Sequence, residues 1–295
     1  MKSRFSARVY LAYPDGSVRP VSRPHGLFYQ ASVNAAGTDV VFYGAQSGQL
    51  RLWRHEVDQP QPSPVPITSA EAGARHPSFD WAGERLVFAF DDPFPEQTQT
   101  VETLSAATRE TDPSLRLNLF TMNPDGSDLA QVTEGPYLDH RPSFSPDGRW
   151  IAFASNRSGD AAIWRVPADG SSDPTPVFTD HWGFRPWYSG DGNRILFYGP
   201  DGARHRIWCV DVTTGLAIPL TSDDRGMTHG PFVPPASEDE LLVHSTRGGA
   251  WGIWRLPIDG DARPVELTPP DFPGAAHPTM SREGLMAFDI KTPAD

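Results

Sequence analysis

Short runs of apolar and aromatic residues alternate along this chain with clusters of Pro, Gly, Asp, Asn and Ser. The runs are four to eight residues long, carry no 3.6-residue stripe, and are bounded by turn formers, which predicts strands and not helices. The stretch 140–166, HRPSFSPDGRWIAFASNRSGDAAIWRV, sets the pattern. RPSF (141–144) reads as strand a, WIAFAS (150–155) as strand b and AIWRV (162–166) as strand c, with TPVFTD (175–180) as strand d. SPDG at 145–148 turns the chain, since Asp bonds back to the turn backbone and Gly accepts positive φ. Related turns stand at 34–37 (NAAG), 80–83 (DWAG), 189–192 (SGDG) and 281–284 (SREG).

An apolar–aromatic dipeptide marks the repeat: Val9–Tyr10, Leu52–Trp53, Leu119–Phe120, Ile163–Trp164, Ile207–Trp208 and Ile253–Trp254. The aromatic positions are separated by 43, 67, 44, 44 and 46 residues. A four-strand unit of that period is a propeller blade. The long interval places a surplus in the b–c connection of the second unit, residues 91–116, read as a lid, a disordered excursion or an oligomer contact. Strand a begins near Tyr29, His76, Arg141, Arg185, Gly230 and His277. The last unit ends after MAFDI (286–290), with strands a and b only, and RVYLAY (8–13) and SVRPVS (17–22) read as the missing c and d. The prediction is all-β: a single six-bladed β-propeller domain over 1–295, its last blade closed by the N-terminal and C-terminal strands.

Composition narrows the function. A net charge of -12 argues against nucleic acid as partner, because phosphate neutralisation needs basic surface. The single cysteine, Cys209, excludes an internal disulfide and reads as a buried thiol on strand c. The start, MKSRFSARVYLAYPDG, has no apolar signal region, and no stretch reaches the roughly 18 apolar residues of a membrane span. A soluble, cytoplasmic monomer is expected.

The run HRPSFSPDGRWIAFASNRSGDAAIWRV, with PADG, VFTD, GIWRLPIDG and IPLTSD, resembles the WD-like propeller repeat of the TolB family. The resemblance covers nearly the whole chain. It implies the propeller fold and leaves activity open, because this repeat serves binding proteins, protease-associated propellers and polysaccharide lyases. The family's periplasmic member carries a second, N-terminal domain for which this chain shows no room, so a role in the Tol system is not carried over.

The candidate chemistry lies on the face with d–a and b–c connections. The residue before the strand-a Pro is His76, Arg141, Arg185, Gly230 or His277, and the residue before that is Arg75, His140, Phe184, His229 or Ala276. The first unit offers Tyr29 and Gln30. Both columns are expected at the channel mouth. Guanidinium forks suit carboxylate or phosphate, so an anionic small molecule or partner protein segment is the expected guest. His181 and Trp182, with Tyr137, offer a wall for a sugar or ring. Near their ordinary pKa, four mouth histidines gain charge as pH falls and are expected to strengthen anion binding from pH 8 to pH 6. Two alternatives stay open. Asp139, Asp180 and Asp224 pair with these cations structurally, or His140, His229 and His277 converge on a divalent metal in a lyase or hydrolase acting on an acidic saccharide. Gly-x-Ser-x-Gly, His-Glu-x-x-His and phosphate-loop motifs are absent.

Overall fold

The computed structural model describes residues 5–23, 26–45, 50–59, 61–69, 73–91, 116–202, 204–221, 228–232, 234, 240–258 and 264–293. Nearly all of the 91–116 surplus lies outside them. Among the described residues the chain is all-β, with 24 strands, no helix and so no apolar helix able to cross a membrane.

Four sheets repeat one antiparallel meander. They are β7 (Ala74–Phe79) to β10 (Ala130–Gln131) through β8 (Leu86–Asp91) and β9 (Leu117–Met122); β11 (His140–Phe144), β12 (Trp150–Ser158), β13 (Asp160–Pro167) and β14 (Thr175–Phe178); β15 (Phe184–Tyr188), β16 (Arg194–Asp201), β17 (Arg204–Asp211) and β18 (Ala217–Pro219); and β19 (Thr228–Phe232), β20 (Glu240–Ser245), β21 (Gly252–Pro257) and β22 (Val265–Glu266). A fifth sheet holds eight strands. One half is β3 (Leu27–Val33), β4 (Asp39–Ala45), β5 (Arg51–Glu56) and β6 (Val65–Pro66). The other is β23 (Ala276–Met280), β24 (Met286–Pro293), β1 (Phe5–Ala12) and β2 (Val18–Pro20). β1 pairs antiparallel with β24 from Phe5↔Pro293 to Ala12↔Met286, while the two halves meet at a single parallel pair, Ala7↔Leu27. The arrangement is that of a β-propeller. The innermost strands β3, β7, β11, β15, β19 and β23 touch in succession, and β23 touches β3.

The aromatic dipeptide now has a physical reason. Its ring lies directly across from a strand-b residue: Trp53 from Phe42, Phe120 from Phe88, Trp164 from Phe153, Trp208 from Phe197, Trp254 from Val243 and Tyr10 from Phe288. Phe42, Phe88, Phe153, Phe197 and Phe288 are fully buried. Each such side chain stabilises the fold by about 1.5–3 kcal/mol, so the cross-strand pair is the recurring unit of the core.

Hydroxyls at the residue where an inner strand's ladder resumes after its register shift stitch the inner strands together. Ser32 Oγ accepts from Phe79 N at 3.1 Å, Ser143 Oγ donates to the Pro186 carbonyl at 2.8 Å, and Thr279 Oγ1 accepts from Val33 N and donates to the Ala31 carbonyl, each at 3.2 Å. The same position in β15 and β19 carries Trp187 and Phe232, whose rings pack at 4.7 Å.

Candidate functional site

Each inner strand breaks its ladder at the same point. The register shifts between Tyr29 and Ser32, Arg75 and Ser78, His140 and Ser143, Phe184 and Trp187, His229 and Phe232, and Ala276 and Thr279. In every bulge one residue takes left-handed backbone: Gln30 (φ 47°), His76 (56°), Arg141 (55°), Arg185 (53°), Gly230 (62°) and His277 (54°). Such a bulge re-aims one side chain. Here it turns all six positions into one pocket. A collar of prolines, Pro77, Pro142, Pro186, Pro231 and Pro278, follows the ring, and Trp187 and Phe232 line the depth. The pocket holds about 520 Å³ of empty space, counting the part open to solvent.

Charge converges in this pocket. With the Gln30 amide turned so that its oxygen faces the guanidiniums, Oε1 accepts from Arg141 Nη1 at 2.8 Å and also from Arg185 Nη2. Two guanidinium forks thus meet one oxygen, and such forks suit carboxylate and phosphate oxygens as partners. Asp289, from β24, is the carboxylate of the site. Its Oδ2 accepts from Gln30 N at 2.7 Å, and it meets His277 Nδ1 at 2.9–3.0 Å. Burial pushes Asp289 up to about 7, against the opposing pull of the Gln30 amide and of Arg185. Burial, and then Arg141, holds His76 well below an ordinary imidazole.

The second predicted column turns away from the pocket. His140 is fully buried between the His76 ring at 6.1 Å and the Phe184 ring at 5.5 Å. His229 stacks on Tyr198 and His205 at 4.9 Å, and its Nε2 meets His205 Nδ1 at 2.7 Å. Arg75 forms a salt bridge with Asp91 at 2.9 Å. Of each consecutive pair, only the left-handed residue lines the pocket. His181 lies between Phe178 at 4.7 Å and Trp208 at 4.6 Å, over Gly199, where a Cβ would meet its Cε1 at 2.9 Å. Trp182 packs on Phe184 and His205. So His76, Arg141, Arg185 and His277 line the pocket together, while His140, His181, Trp182 and His229 pack around it.

Three further expectations are corrected. Asp139 is held by Ser155 Oγ and Arg157 Nη2, both at 2.6 Å. Asp224 lies outside the described residues. The mouth histidines are not a set that charges near pH 6, because burial is the first cause lowering His76 and His229, and His229 falls to about 3. Nor do His140, His229 and His277 gather as ligands: among the described residues no group of three His, Cys, Asp or Glu side chains is placed to hold a metal ion. The donor set does not fit the metal alternative.

The TolB beta propeller domain model matches residues 102–271, more than half of the chain. The chain belongs to this family. An uncharacterized protein of Agrobacterium fabrum is 34% identical over 84 residues, a stretch spanning 28% of this chain and 29% of that protein. The structure of a putative TolB from Agrobacterium tumefaciens superposes with a TM-score of 0.75 at 16% identity, over 99% of this chain and 100% of that one. An oligogalacturonate lyase in complex with manganese gives 0.63 at 11% identity, over 94% of this chain and 80% of that one. Likeness at this identity carries the fold alone.

Within this TolB-family propeller, sequence reasoning passed over a second ring. The strand-b residue opposite the second column is Tyr43, Ala89, Ala154, Tyr198, His244 or Asp289. In four units it is Ala or Tyr, and in the last two it is His244 and Asp289. The signal was a polar residue interrupting an apolar strand, LLVHS at 241–245 and MAFDI at 286–290. Cys209, by contrast, is buried as expected.

Proposed function

We propose that this TolB-family chain is a single six-bladed propeller that binds an anionic small molecule, or an anionic segment of a protein partner, in the pocket of Gln30, His76, Arg141, Arg185, Gly230 and His277. Six bulged inner strands, six b–c pairs and the β1–β24 ladder support the blade count and the closure by chain ends. One observation carries the binding reading: two guanidiniums converge on the single oxygen of Gln30. That oxygen occupies the position an anionic oxygen takes when a ligand enters, and the amide swings aside to release both forks. Calorimetric titration with citrate and with inorganic phosphate tests this. The wild type is expected to bind at least one of them. Arg141→Met with Arg185→Met is expected to weaken it by about 3 kcal/mol or more, roughly 100-fold, since each charge-assisted bond contributes about 1.5–3 kcal/mol. Unchanged binding with a lowered melting temperature makes the arginines structural instead.

A second reading has its own observation. Asp289 orients His277 through Nδ1, which is how a carboxylate presents an imidazole for proton transfer. Beside a carboxylate held by two arginines, His277 is placed to move a proton on an acidic saccharide, and the shared fold of the oligogalacturonate lyase agrees with that class. Product formation from oligogalacturonate by wild type, lost in His277→Gln, separates an enzyme from a binding module.

A further inference from the structure

The left-handed ring carries the charge of the pocket, and what stands two residues further along each inner strand is of another kind. β3, β7, β11 and β23 have a hydroxyl there: Ser32, Ser78, Ser143 and Thr279. Ser32, Ser143 and Thr279 each bond to the next inner strand. β15 and β19 have Trp187 and Phe232 instead, with ring centroids 4.7 Å apart. Neither ring makes the bond that the hydroxyls make. A phenyl has no donor, and Trp187 Nε1 is buried with no hydrogen-bond partner. A buried donor left unmade is unfavourable, so the aromatic pair is kept at a cost to the strands that carry it.

The place of the pair shows what it does. Both rings line the anion pocket, and both also line a second cavity with Val33, Phe79 and Trp81, residues in or beside the a–b turns. Trp187 and Phe232 therefore form a floor between the two cavities. Above that floor the lining changes in a fixed order along each strand: the ring residue, then its proline, then the floor. At β15 this order is Arg185, Pro186 and Trp187. The pocket is charged at one level and apolar beyond it. Guanidinium forks suit the oxygens of a carboxylate or phosphate, while proline, indole and phenyl surfaces gain by covering apolar surface. An anion with no apolar part meets only the first level. A guest that satisfies both carries its anionic group on a compact apolar body.

We infer that Trp187 and Phe232 determine specificity in this pocket, selecting an anion whose compact apolar body lies against the aromatic floor while its oxygens meet Arg141 and Arg185. This rests on the anion-pocket reading above. Calorimetric titration with two matched pairs tests it: benzoate against acetate, and phenyl phosphate against inorganic phosphate. Within each pair the anionic group is kept and a phenyl body is added. In at least one pair the wild type is expected to bind the phenyl member about tenfold tighter or more, because burying a phenyl group contributes more than the 1.4 kcal/mol or so that tenfold represents. Trp187→Ser with Phe232→Ser gives both strands the hydroxyl that β3, β7 and β11 already carry, and is expected to bring that ratio to about one. If the double variant lacks a cooperative thermal transition, Phe232→Ser alone is titrated, and its ratio is expected to fall about threefold or more. Equal wild-type affinities within both pairs, all lost in Arg141→Met with Arg185→Met, overturn the apolar selection and leave the anion pocket standing. Binding of citrate or inorganic phosphate with both phenyl compounds excluded has the same meaning. No binding of any of these anions by the wild type removes the anion pocket, and this inference with it. A ratio unchanged in the serine variants overturns the assignment to these two rings.

Discussion

The inner strand enters left-handed backbone at both ends, and the two ends fill it differently. At the a–b turn the residue is Gly37, Gly83, Gly148, Gly192 or Gly284, with φ between 70° and 81°, and the fifth unit's turn lies outside the described residues. At the pocket it is Gln30, His76, Arg141, Arg185 or His277, and glycine only at 230. For a residue with a Cβ this backbone costs roughly 1–2 kcal/mol, so five of them cost about 5–10 kcal/mol, as much as the net stability of many domains. The turn residues are interchangeable and chosen for the backbone. The pocket residues are an amide, two guanidiniums and two imidazoles, held where the backbone disfavours them. Strain retained at a concave site in spite of a cheaper residue argues for selection on the side chains.

If both ends of every inner strand belong to one closed ring, breaking the ring gives the largest expected effect. Deleting residues 1–22 removes β1 and β2 and exposes the full length of β24, which carries Asp289. The expected outcome is loss of a cooperative thermal transition, with aggregation through the bared edge. A truncated chain that stays monomeric with an unchanged melting temperature refutes closure by the chain ends.

The two ends also differed in how readable they were. The turns were legible because Gly, Asp and Ser act locally, as in Ser145 Oγ donating to Asp147 at 2.6 Å. The b–c register was legible because Trp164 and Phe153 repeat at a fixed period. Five of the six pocket positions, His76, Arg141, Arg185, Gly230 and His277, were legible as the residue preceding Pro. Gln30 lacked that mark, because Ala31 stands where the other units have Pro. His244 and Asp289 were not legible, since the bulge slips the a–b register and no local rule says which strand-b residue then backs the ring. His181 was misplaced because its partner is an absence, the missing Cβ of Gly199.

Titration sharpens the contrast at the pocket end. Asp289 is neutral below about pH 7 and adds a negative charge beside Arg185 above it. Anion affinity is therefore expected to be greatest below pH 7 and to fall as pH rises, by up to about tenfold per unit, or 1.4 kcal/mol. His76 and His229 stay neutral through this range and add nothing to the slope. Asp289→Asn is expected to flatten the profile. Stability follows the same sign. The folded-state value lies above the ordinary carboxyl value of 3.8, so the contribution is complete below about pH 4 and is lost as pH rises through 7. A wild-type affinity flat from pH 6 to pH 8 removes Asp289 as the titrating group.

The smallest effect tests the comparison itself, within one strand. Gly148 ends the turn at φ 70° with open space around a would-be Cβ, so Gly148→Ala meets no neighbour and reports backbone cost alone. A loss of about 1 kcal/mol is expected there, read from urea unfolding midpoints. Arg141 stands near the other end of the same strand at φ 55°. Arg141→Ala and Arg141→Gly both remove the guanidinium, and they differ mainly in the freedom of the backbone. If the ring is strained as the turn is, Arg141→Gly is more stable than Arg141→Ala, again by about 1 kcal/mol. Glycine then wins at both ends, and its absence from position 141 is explained by what the side chain does in the pocket. Should the alanine variant equal or exceed the glycine variant in stability, position 141 carries no backbone strain. The case for a selected ring then rests on the convergence of its side chains alone.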